Sequence, residues 1–229
     1  MSKVEITMNK SNKNYLLILT SLASTVLFSI IIISIISKHS FVKSMDINSL
    51  HWFNTIFGEP NMNFSNGLFN DFMTASAKYG DIGAFIIITI IISLVALFKR
   101  HYLFSLWSLS TVAIGGILGI VLKHVVHRHR PYDHLLADTG YSFPSGHSLT
   151  STLVILMIIF ILVPHLKRNL LKILFTSILL FVWISILFSR LYFHAHFLSD
   201  VLGGITFSIS WLTLSYIFYK LCISKINNM

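Results

Sequence analysis

Six apolar runs constrain this chain more than any other feature of its sequence. They lie at about residues 15–37, 80–98, 102–122, 147–163, 170–188 and 199–219. Runs of roughly 17–25 residues are long enough to carry a helix across the hydrocarbon of a bilayer. Backbone groups there find no water, so a spanning run closes its hydrogen bonds internally as a helix. Of the 229 residues, 55 % are hydrophobic and 11 % charged, too few charges for a water-facing exterior. The expected fold is an all-α integral membrane protein, a single domain over residues 1–229 with six transmembrane helices. The first run is longer than the apolar core of a signal peptide and no small-residue cleavage pattern follows it, so it is expected to stay as a membrane helix.

Residues 38–79 form the one long connection. Their apolar residues recur at three and four spacing around Pro60, which predicts two short interfacial helices after the first span. Trp52, Phe53 and Phe57 would lie at headgroup depth or pack as a cap over the helix ends. Small residues in Ile114–Gly119, and the pair Gly203 and Gly204, would let helix backbones approach closely. The lone Cys222 excludes a disulfide framework and a cysteine metal site.

Charge sets the expected orientation. Ten of the 17 lysines and arginines (Lys3, Lys10, Lys13, Lys99, Arg100, Lys167, Arg168, Lys172, Lys220 and Lys225) fall on one side of a six-span topology, and seven of the eight acidic residues fall on the other. Basic residues mark the cytoplasmic side, so both termini are expected there. The net charge of +9 does not point to nucleic acid, because no basic stripe with interleaved aromatics accompanies it.

Three polar clusters then share the outer side: Lys123–Pro131, Tyr141–Ser148 and Ser189–Asp200. Ionisable residues near membrane depth are costly and carry function by default. Lys123 and Arg130, with Arg190 from another span, would converge on one anion, and guanidinium forks match phosphate oxygens. Ser145 and Gly146 would add backbone N–H donors at the start of the fourth span, where the helix dipole also favours an anion. His147 and His196 are the candidates for proton exchange or attack on phosphorus. Asp200, four residues beyond His196, shares its helical face and can orient the imidazole and stabilise its charged form. His194 has no carboxylate at that spacing. His124, His127 and His129 have no carboxylate or cysteine beside them and are expected to be solvated or phosphate-facing rather than metal ligands. Arg128 is assigned no role.

Together these residues resemble the type 2 phosphatidic acid phosphatases, whose signature reads KxxxxxxRP, PSGH and SRxxxxxHxxxD. The chain matches all three parts between residues 123 and 200. The resemblance implies a six-helix core and a reaction through a phosphohistidine, needing neither metal nor other cofactor. It implies His196 as nucleophile, Asp200 as its orienting partner and His147 as general acid. Lys123, Arg130, Arg190, Ser145 and Gly146 would hold the phosphoryl oxygens.

Vanadium haloperoxidases share these motifs but are soluble. A transporter or flippase for a phospho-anion would use the same cations, but a carboxylate beside the site would oppose anion binding. The expected partners are therefore membrane lipids and a lipid phosphate substrate in a bacterial cell membrane. Undecaprenyl pyrophosphate is expected first, with phosphatidylglycerophosphate or phosphatidic acid as alternatives. Oligomeric state has no signal in the sequence. A cysteine placed at Leu135 should react with impermeant reagents from outside the cell; labelling from the cytoplasmic side alone would reverse the topology.

Overall fold

The computed structural model describes residues 3–135 and 139–227. The side chains of Lys3, Glu5, Lys10 and Lys13, and residue Asp138, which enter the charge count above, lie outside that description. Among the described residues there is no strand. Eight α-helices follow in order: α1 (Lys3–Ile36), α2 (Ser40–Phe57), α3 (Leu68–Tyr79), α4 (Ile82–Phe98), α5 (Tyr102–Val126), α6 (Gly146–Met157), α7 (Asn169–Tyr192) and α8 (Leu198–Asn227). A π turn over Ile158–Leu162 and a 3₁₀ turn over Val163–His165 prolong α6. Pro164, which has no N–H to give, closes that span.

Five stretches are long and apolar enough to cross a membrane, beginning at Asn14, Tyr102, Gly146, Asn169 and Leu198. A sixth arises if α3 and α4, bent by 55° across Gly80, are counted as one broken span. The chain is an integral membrane protein.

The span led by α6 is the centre of the bundle. Some 61 % of its most apolar stretch is buried inside the protein, against 11 % for α1 and for α7. It packs against α4, α5, α7 and α8, while α1 lies along α8. Leu149, Leu153, Val154, Ile155 and Met157 of α6 join Phe85, Trp107, Val112, Ile186 and Leu212 in the core.

Small residues decide how closely α6 is approached. A Cβ on Gly119 would stand 2.7 Å from Leu149 Cδ1, and one on Gly115 2.8 Å from Leu153 Cδ1. On Gly203 it would meet the Phe143 ring at 2.3 Å. Buried hydroxyls in the spans are satisfied locally: Thr89 Oγ1 donates to the Phe85 carbonyl and Ser208 Oγ to those of Leu149 and Gly204.

The segment after α1 forms a cap. Phe53 and Phe57 of α2 join Phe69, Phe188 and Tyr192 in an aromatic cluster over the end of α7. Trp52 alone of the expected trio is largely exposed, touching Phe53 edge-on. Asn70 ties α3 down, donating to the Asn61 and Asn63 carbonyls and accepting from Tyr192 Oη.

Gly203→Ala should lower the thermal midpoint in detergent, since overpacking a tight contact costs about 1–3 kcal/mol. Gly116→Ala, where nothing lies within 4 Å of the added methyl, should hold or raise it. Equal midpoints would contradict the packing described.

Candidate active site

One end of the bundle collects all three polar clusters. Lys123 and Arg190 sit in the last turns of α5 and α7, and Asp200 in the first turn of α8. His147 is the second residue of α6. The left-handed His127 (φ 51°) ends α5. Beyond it the two arms of the 127–145 connection are clamped where Ser142 donates from N and Oγ to the Arg128 and His129 carbonyls.

The cations are positioned by backbone oxygen. Lys123 Nζ donates to the Tyr141 carbonyl at 2.6 Å. Arg130 reaches the Ala195 carbonyl at 2.6 Å and those of Gly140 and Thr139 at 3.2 Å. Arg190 is 3 % exposed. Lys123, Arg130 and Arg190 all act electrostatically on His196, and Arg130 and Arg190 on His147 as well. The five side chains predicted from three separate motifs therefore share one site.

His196 is buried, its Nε2 3.3 Å from Arg130 Nη1 and its Nδ1 3.7 Å from Asp200 Oδ2. The second distance is too long for a hydrogen bond, and it becomes an ion pair only when the imidazole is protonated. Burial, and after it the charges of Arg190, Arg130 and Lys123, hold the imidazole well below its usual pKa of 6.5. It is therefore neutral near pH 7, with a lone pair to offer. His147 lies against the cap, where the Ala77 backbone of α3 acts on its ring.

Two expectations change in detail. The Ser145 N–H donates to the Asp200 carbonyl at 3.1 Å, and its Oγ accepts from Ser148 as the N-cap of α6. Ser145 therefore shapes the site as a cap and a tie between motifs, rather than as an amide aimed at a ligand. His194 does gain a carboxylate, but from Asp133, whose Oδ2 lies 2.7 Å from its Nδ1. This second pair joins the first motif's loop to the third, and no spacing rule within a helix could have found it.

Two further residues escape the sequence reading. Arg128 bridges Asp200 (2.7 Å) and Asp46 of α2 (2.6 Å). The one signal for Asp46 was an acidic side chain on an otherwise amphipathic segment. Among the described residues no group of three or more His, Cys, Asp or Glu side chains is placed to hold a metal ion. His124 and His127 instead face Tyr141.

Comparison with known proteins bears on this arrangement. A family model described as the PAP2 superfamily matches residues 104–223. Phosphatidylglycerophosphatase B of Bacillus subtilis (strain 168) is 31 % identical over 146 residues, covering 61 % of this chain and 70 % of that protein. The crystal structure of a transmembrane PAP2-type phosphatidylglycerolphosphate phosphatase from Bacillus subtilis superposes with a TM-score of 0.73 at 26 % identity. That match covers 87 % of this chain and 95 % of the other.

The depressed pKa of His196 has a consequence for folding. Between its folded and unfolded values the unfolded chain binds more protons, so stability rises with pH there. The contribution is fully present above about 6.5 and is lost as pH falls toward the folded value. The thermal midpoint should decline below pH 6.5, and His196→Gln should make that decline shallower. An unchanged slope would place the imidazole in a more solvated setting.

Proposed function

Because the chain belongs to the PAP2 superfamily, we propose that it is a lipid phosphatase that attacks phosphatidylglycerophosphate with His196. The observation that carries the reading is the orientation of this imidazole, with Nε2 toward Arg130 and Nδ1 toward Asp200. Nε2 forms a bond to phosphorus as the P–O bond to the lipid breaks. His147 gives its proton to the departing alkoxide. Water then attacks the phosphohistidine, His147 takes a proton from it, the P–N bond breaks and inorganic phosphate leaves. Asp200 stabilises the positive imidazole through both steps. Lys123, Arg130 and Arg190, with the Gly146 amide, offset the charge on the phosphoryl oxygens. Those groups need no metal ion to do so.

A groove of about 410 Å³ supports a lipid as the guest. It begins at Lys123, Pro144 and Gly146 and runs between α4, α5 and α6 past Ile86, Ile117 and Leu149. A phosphate at its head would leave an acyl chain along apolar walls. The two relatives named above are phosphatidylglycerophosphate phosphatases, which turns the reading toward that substrate and away from the undecaprenyl pyrophosphate expected from sequence. A transporter would need polar groups deep in the spans. The buried hydroxyls described there are spent on neighbouring carbonyls. Six spans, with the bent pair α3 and α4 counted as one, α2 at the outer interface and both termini inside, fit the charge distribution.

Purified protein should release phosphate from phosphatidylglycerophosphate in preference to phosphatidic acid and undecaprenyl pyrophosphate, and should do so in chelator. His196→Ala should abolish turnover of every substrate, with acid-labile, base-stable phosphate trapped on the wild type. His147→Ala should lose ~10²–10⁴ in rate on the lipid and recover much of it on an activated aryl phosphate. Substantial activity in His196→Ala would sink the mechanism, and faster release from undecaprenyl pyrophosphate would reverse the substrate assignment.

A further inference from the structure

Asp46 lies in α2, outside every motif of the signature and outside the residues matched by the family model. It is nevertheless among the most enclosed ionisable groups in the protein, 2 % exposed. Its Oδ1 accepts from the Ser199 N–H at 2.9 Å, and its Oδ2 accepts from Ser199 Oγ at 2.7 Å and from Arg128 Nη2 at 2.6 Å. The Ser199 amide belongs to the first turn of α8, where N–H groups have no partner within the helix. A carboxylate from another helix thus caps the helix that carries Asp200.

Arg128 completes a chain. Its Nη1 donates to Asp200 Oδ1 at 2.7 Å and to Ser199 Oγ at 2.6 Å, and its guanidinium lies over the Phe197 ring, 4.5 Å from the centroid. The other oxygen of Asp200 accepts from the Phe197 N–H at 2.9 Å and faces His196. Both faces of the aspartate are thereby fixed. Residues 46, 128, 200 and 196 run in sequence as carboxylate, guanidinium, carboxylate and imidazole.

Charge along this chain matters because of its surroundings. His196 is faced by Lys123 of α5, Arg130 of the following loop, Arg190 of α7 and His147 of α6, all cationic or able to become so. Asp200 is the carboxylate facing it from α8. Arg128 alone would neutralise that carboxylate and leave nothing to offset a positive imidazole. With Asp46 on its far edge, the trio Asp46–Arg128–Asp200 carries a net charge of −1.

We infer that Asp46 and Arg128 are positioning residues for the reaction. They orient the Asp200 carboxylate toward His196, and Asp46 supplies the negative charge that offsets the imidazolium character of the transition state. The inference rests on the phosphatase reading of the same site. Neither residue touches phosphate; both act through Asp200.

The two residues carry opposite charge, so they shift His196 in opposite senses. Asp46→Asn removes a negative charge and should lower kcat about tenfold with KM within about twofold. It should also move the acid limb of the kcat/KM profile to lower pH. Arg128→Gln removes a positive charge and should move that limb up by about one pH unit, the scale of one charge acting across a partly polar interior. The double variant restores the net −1 on Asp200 alone, so its limb should return to near the wild-type position although its rate stays low. Titration of the substrate phosphate is common to all four proteins and cancels from the comparison.

A purely structural role would depress all variants without opposed pH shifts. The profiles are measured from about pH 4 to pH 9 on phosphatidylglycerophosphate in detergent, with thermal midpoints alongside. If Asp46→Asn does not fold, the upward limb of Arg128→Gln decides alone. Opposed shifts that cancel in the double variant support the inference. Limbs that stay within about 0.2 pH unit, or an Asp46→Asn protein with wild-type kcat, overturn it while leaving the phosphatase reading intact. A wild-type protein inactive on every lipid phosphate would remove that reading and this inference together.

Discussion

In hydrocarbon a backbone N–H or C=O without a partner is so heavily penalised that irregular chain is admitted only where a helix ends. A membrane protein of this size therefore has few places to put chemistry, and here the three polar clusters gather at the meeting of four helix ends. α5 and α7 finish there and α6 and α8 begin there. The directions matter: Lys123 and Arg190 lie in last turns, where the helix dipole favours cations, and Asp200 in a first turn, where it favours an anion. The residues that would handle a phosphate are the ones that the helix ends already tolerate.

Placing cations close together raises the question of what keeps them aimed. Arg130 is gripped by three backbone carbonyls, at Gly140, Thr139 and Ala195. These come from two different loops, so the guanidinium is also the pin between them. Arg128, two residues earlier, is gripped by two carboxylates. Two arginines in one short motif thus face different partners, one beside the His196 imidazole and the other behind the Asp200 carboxylate that faces it. The difference decides their roles more firmly than their spacing could.

The apolar runs, the polar clusters and the meeting of Lys123, Arg130, His147, Arg190, His196 and Asp200 were legible in the sequence because each rests on a local rule. Run length against bilayer thickness, the four-residue spacing of His196 and Asp200, and glycines at close contacts all depend on neighbours along the chain. What stayed hidden depends on partners far away. Asp133 to His194 crosses 61 positions and Asp46 to Arg128 crosses 82, and no periodicity links them. Ser145 was placed correctly, yet its amide turned toward Asp200 rather than outward, because the tie between α6 and α8 claims that donor first. Phe53 and Phe57 carried an amphipathic signature that suits lipid headgroups and a protein cap equally. Only the position of Phe188 and Tyr192 on α7 separates the two.

The cap supplies one of these hidden partners, Asp46. Residues 38–79 hold none of the signature, yet α2 supplies the carboxylate that caps α8 and the Ala77 backbone of α3 acts on His147. Its attachment is aromatic and polar at once: Phe57 and Phe69 pack on Tyr192, while Tyr192 Oη donates to Asn70. The signature motifs bring cations and imidazoles to the helix ends, and Asp46 of the cap reaches the same end through Ser199 and Arg128. A displacement of α2 would break Asp46 from Arg128 and from the first turn of α8 together, because one carboxylate serves both. The seating of the cap and the surroundings of Asp200 thereby share one carboxylate, that of Asp46, which lies outside the motif that names the family.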